Sequence, residues 1–182
     1  METDSVWSAV RFDRQVKRSA WDVRMVTKFT SSGKGIDQIK ANLQKLMQTD
    51  VYVGIPQEKA SRPGEPVNNA ELAYIQTNGS ELQDIPARPI IEPIVEKNKD
   101  LIGEYMKQAG QLIMSGDTEQ GKNKLEEIGL RISTKIKDNF MDPNNGWAPN
   151  APSTIKAKGS DRPLIDTASM LNSISFIVGD KN

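Results

Sequence analysis

With no His and no Cys among its 182 residues, the chain has no imidazole base, no thiolate nucleophile, no disulfide and no Cys/His zinc site. Carboxylates are what remains for acid–base work. Asp138 with Asp142, and Glu126 with Glu127, are the pairs whose spacing could serve hydrolysis of a glycosidic bond, where one carboxyl donates a proton and the other attacks or activates water. No motif frames either pair, so both read as solvated helix and turn charges. The D-x-D-x-D-G spacing of a calcium loop is missing from the sequence. Gly33-Lys34-Gly35 lacks the full G-x-x-x-x-G-K-[ST] pattern and reads as a connecting turn. Aromatic residues make up 5% of the chain and over most of it are not interleaved with Lys or Arg, which gives little basis for a base-stacking platform. The expectation is a non-enzyme with no catalytic residues, no cofactor and no metal.

Composition points the same way. Lys and Arg number 24 and Asp and Glu number 24, so no global field draws the chain to nucleic acid or to an anionic membrane. Hydrophobic residues are 36% and charged residues 26%. The core is therefore expected to be small for the length, with part of the stability supplied by neighbouring subunits. No apolar run is long enough to span a bilayer. The acidic, polar start at Met1 to Ser5 does not resemble a secretory signal peptide, and synthesis and assembly in the cytoplasm are expected.

The elements that would position these side chains follow from periodicity. Residues 1–20 read as an N-terminal arm, and residues 21–182 as a single α+β domain. Val6, Trp7 and Val10 can line one face of a short helix with Arg11, Arg14, Lys17 and Arg18 around it. That arm either frays or reaches a neighbouring subunit, with Trp7 as an interface candidate. Period-two alternation from Trp21 to Phe29 predicts a strand. Ile36, Ile39, Leu43, Leu46 and Met47 predict an amphipathic helix ending near Thr49, and Val51, Val53 and Ile55 a second strand.

Gln57 to Val67, with Pro63, Gly64 and Pro66, predicts an exposed loop. Its Glu58, Lys59 and Arg62 are candidates for contacts with another subunit. Asn68 predicts an N-cap for a helix over 69–77, closed by Asn78-Gly79. One long helix is expected from Ile90 to Ile113, with Pro93 tolerated in its first turn. After Ser115-Gly116, Asp117 caps a second long helix carrying Leu125, Ile128, Ile132, Ile136 and Phe140. So short a connection predicts an antiparallel helical hairpin. Asp142 to Gly146 predicts a turn, 153–158 and 167–171 short helices, and Ser173 to Val178 a final strand.

Four segments, taken in order, resemble one family. They are Val51-Tyr52-Val53-Gly54-Ile55; Asn69-Ala70-Glu71-Leu72-Ala73-Tyr74-Ile75-Gln76-Thr77-Asn78-Gly79; Ile85-Pro86-Ala87-Arg88-Pro89-Ile90-Ile91; and Trp147-Ala148-Pro149 with Thr154, Lys158 and Pro163-Leu164-Ile165-Asp166-Thr167. The set is similar to the virion-morphogenesis and tail-completion proteins of tailed phages, over about residues 50 to 178. Ala168 stands where that family usually has Gly, so a less unusual backbone angle is expected there.

The resemblance implies a structural virion protein that completes the tail or joins it to the head, as one subunit of a ring at the neck, often of six copies. It implies a small, mainly antiparallel sheet packed with helices, as in tail-terminator proteins. The implied partners are copies of itself, the head–tail connector, and the tail tube or tail terminator, with genome DNA passing through the lumen unread and no membrane involved. Weaker alternatives are a tail-associated cell-wall hydrolase and a DNA-binding module at the portal.

Within the quoted segments Pro86 and Pro89 pre-set the chain before the long helix. Arg88 between them serves either a contact within the subunit or an interface, where its planar fork suits bidentate pairing. Trp147 either folds back as a lid on the core or anchors a neighbour. Asp166 or Thr167 is expected to cap the helix beginning near Ala168, and Arg162, in the loop before it, is a further interface candidate.

Overall fold

The computed structural model describes residues 34–180. The expected arm, the Trp21–Phe29 strand and Trp7 lie outside those residues. Within them the chain is α+β, with seven helices and a two-stranded antiparallel sheet. The helices are α1 (Lys34–Gln48), α2 (Asn69–Asn78), α3 (Glu92–Lys97), α4 (Lys99–Met114), α5 (Thr118–Met141), α6 (Pro152–Lys158) and α7 (Ser169–Ser173). The strands are β1 (Thr49–Gly54) and β2 (Ser175–Asp180), in a register that sets Val51 opposite Val178 and Val53 opposite Phe176. Residues i and i+2 share a face of a strand, so these four side chains lie on one side of the sheet, the side turned toward α5.

The core follows the stripe on α5. Leu125, Ile128, Ile132, Ile136 and Phe140 are all buried, as their 3.6-residue spacing predicts. Ile128 to Phe140 join Val53, Ile90, Met170 and Ile174 in one apolar cluster. The hairpin of α4 and α5 is antiparallel, since Tyr105 meets Glu127 while Ala109 and Ile113 meet Gly121. Two glycines on the stripe set its spacing. A Cβ on Gly121 would collide with Ile113, and one on Gly129 would stand 2.5 Å from the Phe176 ring. Helix α5 thus lies close to α4 at one point and to β2 at another, which places the sheet directly on the hairpin.

Local chemistry explains the helix ends. Asn68 Oδ1 accepts from Ala70 N at 2.9 Å and Glu71 N at 3.0 Å, and Glu71 Oε2 accepts from Asn68 N at 2.9 Å, a reciprocal capping box. Gly79, with φ 73°, closes α2, and a Cβ there would strike Ile85 O at 2.7 Å, so both its angle and its lack of a side chain are required. Asp117 Oδ1 accepts from Gln120 N at 3.1 Å; the reciprocal bond runs from Gln120 Nε2 to Asp117 Oδ2 at 2.7 Å rather than to the backbone.

Two expectations are corrected. The single helix from Ile90 to Ile113 is two, α3 and α4, broken at Asn98 (φ −111°, ψ 15°). Ile94 O there accepts from both Asn98 N at 3.2 Å and Asn98 Nδ2 at 2.7 Å, and Ile102 N donates to Asn98 O at 3.0 Å, so backbone bonding continues across a residue that leaves helical angles. Ala168 does not have an ordinary angle. Its φ is 58° and its ψ 14°, in the left-handed region, although it carries a Cβ.

A buried polar node ties α2 to α7. Asn69, 1% exposed, donates through Nδ2 to Ser173 Oγ at 2.7 Å and Ser169 Oγ at 3.0 Å. The Ser173 hydroxyl is itself committed to Ser169 O at 2.8 Å, so its oxygen must accept from the amide. That orientation leaves Asn69 Oδ1 buried without a partner, a cost of about 1–3 kcal/mol carried by the fold.

Candidate functional site

Three segments that are far apart in sequence meet at Arg88. The residue is 6% exposed, and its guanidinium donates from Nε to Ala148 O at 2.9 Å, from one terminal nitrogen to Pro149 O at 3.0 Å, and from the other to Gln76 Oε1 at 3.0 Å. The backbone joins in, with Arg88 N donating to Gln76 O at 2.7 Å. Burial pushes the Arg88 pKa down, yet guanidinium remains charged at any ordinary pH, which strengthens each bond to a neutral carbonyl.

Trp147 returns the contact. Its indole Nε1 donates to Pro89 O at 2.9 Å, and its ring stands edge-on to Phe140 at 5.0 Å between centroids. The turn before it sets this pose: Asp142 Oδ1 accepts from Asn144 N at 2.8 Å, Asn145 Nδ2 donates to Asn139 O at 3.0 Å, and Asn145 Oδ1 accepts from Trp147 N at 3.0 Å. Residues 88–89 and 147–149 are thus cross-stitched, and Trp147 packs half-buried on the core.

Beside this joint opens a cleft of about 890 Å³. One wall is α2 and a tight hairpin in which Ser80 N and Ile85 O (2.8 Å) and Ile85 N and Ser80 O (2.9 Å) pair. The other wall runs from Pro149 through α6 to Asp166. Leu72, Ile85, Leu164 and Met170 contribute apolar lining, and Glu81, Asp84 and Asp166 are exposed carboxylates at its edge. Lys158 Nζ donates to Arg162 O at 2.8 Å; burial lowers its pKa, with Asp166 opposing that shift. Both cations of the cleft are therefore engaged with backbone carbonyls, and the three carboxylates accept no hydrogen bond from the described residues.

Comparison with known protein families, characterised proteins and solved structures finds no match.

The remaining sequence-selected residues are dispersed. Glu58 and Lys59 are exposed on a 3-10 turn (Gln57–Lys59), with Lys59 Nζ donating to Ser175 Oγ at 3.0 Å. Arg62 is half-buried further along that loop, whose Ala60 carbonyl accepts from Asn69 N at 2.9 Å. Arg162 is exposed, 3.9 Å from the Met141 sulfur. Thr167 rather than Asp166 supplies the turn before α7, through a long 3.4 Å bond from Ser169 N to its hydroxyl.

Three of the four paired carboxylates hold other roles, and Asp138 is exposed on α5. Glu127 accepts from Tyr105 Oη at 2.8 Å, Lys124 at 2.8 Å and Arg131 at 3.0 Å. The Lys124 ammonium foremost, with the Tyr105 and Arg131 donors, holds the Glu127 pKa at about 2, so it is a poor proton donor at neutral pH. Lys124 and Arg131 also stand over the Tyr105 ring, at 5.2 and 5.5 Å. Glu126 pairs with Lys122 at 3.7 Å, and Asp142 is spent on its own turn. Among the described residues no group of three or more His, Cys, Asp or Glu could hold a metal ion, and no helix is long and apolar enough to cross a membrane.

Sequence reasoning passed over Gln76 as the partner of Arg88, the buried Asn69, and Gly121 and Gly129. A signal existed for the glycines, because both interrupt the apolar stripe of α5 at helical spacing, where a missing side chain marks close approach.

Proposed function

We propose that the chain is a structural subunit of a tailed-phage virion, forming a ring at the neck or tail end that completes the tail or joins it to the head. One observation carries the reading. Three of the four segments that resemble tail-completion proteins are bonded together, through Gln76, Arg88, Pro89, Trp147, Ala148 and Pro149. A resemblance of scattered words is weak; words that build one joint are under a common physical constraint, which favours a shared fold over coincidence.

Other features support it. The small antiparallel sheet laid on a helical hairpin is compatible with the tail-terminator likeness. Leu82 is 101% exposed at the tip of the Ser80–Ile85 hairpin, an apolar side chain that packs on nothing among the described residues. The hydrolase alternative is less favoured, since Glu127 is pinned by three donors and Asp142 by its turn.

The test is assembly. Phage particles made without this protein are expected to accumulate as separate filled heads and finished tails, and the purified chain to form a closed homo-oligomer by native mass spectrometry. Normal infectious particles in its absence would refute the reading.

A further inference from the structure

We infer that the cleft beside Arg88 is the receptor for the basic N-terminal segment, residues 6–18, of a neighbouring copy. The inference rests on the ring reading above and names the contact that links one subunit to the next.

The cleft supplies half of the argument. About 890 Å³ is ample for the anchor side chains of a peptide segment. Its lining includes Leu72, Leu164 and Met170, and its edge Glu81, Asp84 and Asp166. Arg88 and Lys158 keep their charges on the inner wall, where Lys158 feels Asp166, while at the edge Glu81 and Asp84 form no ion pair with a cation of the described residues. An occupant must combine apolar anchors with positive charge.

The chain's own sequence supplies the other half. Residues 34–180 hold 17 Lys and Arg against 20 Asp and Glu, whereas residues 1–33 hold six against four. The neutral total therefore conceals an acidic body and a basic leading segment. Four of those six cations, Arg11, Arg14, Lys17 and Arg18, follow directly on Val6, Trp7 and Val10. At about 100° per residue, all seven side chains fall within an arc of about 140° on a helical wheel. One face of the segment thus carries the apolar anchors and the cations together, matching an apolar floor with a carboxylate edge. A segment of one copy docking in a cleft on another is a heterologous contact, the kind that closes into a ring.

Reversing charge on each side tests this. One full-length variant carries Arg11→Glu, Arg14→Glu and Arg18→Glu; the second carries Glu81→Lys and Asp166→Lys; the third carries all five. Each is first checked for an unchanged circular dichroism spectrum. At low salt, where charge pairing is least screened, the first two alone are expected to lose the oligomer by native mass spectrometry. An equimolar mixture of them, and the third alone, are expected to regain it, because reversed segments then meet reversed clefts between unlike or like copies. Assembly of the first two as complete as the parent's overturns the inference. Rescue in the third variant without rescue in the mixture also overturns it, because the segment then fills the cleft of its own chain.

A binding measurement separates failure of this contact from failure of the ring. A labelled peptide of residues 5–20 is titrated into the first variant, whose own segment is reversed. Saturable anisotropy, weakened roughly tenfold or more in the third variant, supports the contact even if no ring forms in solution. No saturable binding overturns it, even if the parent chain forms rings.

Discussion

Replacing Gly129 by Ala should destabilise the protein, while the same change at Gly103 should stabilise it. Both glycines lie in helices, where Ala is favoured over Gly by about 1 kcal/mol. A Cβ at Gly103 meets nothing within 4 Å, so that gain is kept, less whatever the exposed backbone contributes to the unfolded chain. At Gly129 the new methyl would lie 2.5 Å from Phe176 Cδ2, 2.8 Å from Cγ and 3.1 Å from Cβ. Carbon atoms rest comfortably at about 3.5–4.0 Å, so a gap of about 1 Å must open. Cγ and Cβ are the near end of the side chain, so ring rotation cannot relieve the clash and β2 must move off α5. Overpacking of this kind costs about 1–3 kcal/mol, which offsets the helix gain of about 1 kcal/mol and leaves a net loss of up to about 2 kcal/mol. Urea titration of the two variants should then show midpoints displaced in opposite directions with unchanged slope. In a Phe176→Ala background, which removes Cγ and Cδ2, most of the Gly129→Ala penalty should vanish. If Gly129→Ala stabilises as much as Gly103→Ala, the spacing of helix and sheet is not set by this contact, and the account of how the sheet is seated fails.

Three further substitutions probe the joint, the left-handed turn and the charge cluster. Arg88→Lys replaces a fork by a point charge that cannot reach Ala148 O, Pro149 O and Gln76 Oε1 together; a loss of about 2–3 kcal/mol is expected. In a chain whose Trp7 and Trp21 are Phe, it should also red-shift Trp147 emission, and an unshifted spectrum would show that Trp147 is held independently. Ala168→Gly should stabilise by up to about 1 kcal/mol, since a φ of 58° strains Ala and suits Gly, against a small gain in unfolded-state entropy; a lowered thermal midpoint would contradict the left-handed assignment. Glu127, with a folded pKa of about 2 against an ordinary 4.5, contributes stability that is complete above pH 4.5 and is lost as pH falls toward 2. The gap in urea midpoint between the parent and Glu127→Gln should therefore narrow over that window, and a constant gap would show that the Lys124, Tyr105 and Arg131 contacts do not act through the carboxylate's charge.

What sequence revealed of the fold is what periodicity and caps encode. The five-residue stripe of α5, the Asn68 cap, the Gly79 stop and the alternation of β1 are each specified within a few neighbouring residues and form where expected, while β2 forms two residues later than expected because Ser173 ends α7. The break at Asn98 was not legible, because an apolar repeat runs straight through it and the departure is confined to the angles of one residue whose amide and backbone N–H share Ile94 O. Ala168 misled for the complementary reason: its neighbours and the packing of α7 against α2 fix its angle, and the residue conforms at a cost.

Arg88 shows where legibility ends at the site. Its own segment advertises a guanidinium between two prolines, which suits an interior clamp as well as an interface. The deciding partners are the carbonyls of Ala148 and Pro149, and a backbone carbonyl has no residue type to recognise. What makes those carbonyls available is a side chain two positions away, since Trp147 grips Pro89 O and the Phe140 ring and so holds its own segment against Arg88. The arginine and the tryptophan therefore stabilise each other's setting, and neither has reason to persist alone. The same coupling orients the surface. With both side chains turned inward on the joint, the Arg88 guanidinium is directed at Ala148 O, Pro149 O and Gln76 Oε1, and Glu81, Asp84 and Asp166 are the charged groups exposed at the edge of the cleft beside it.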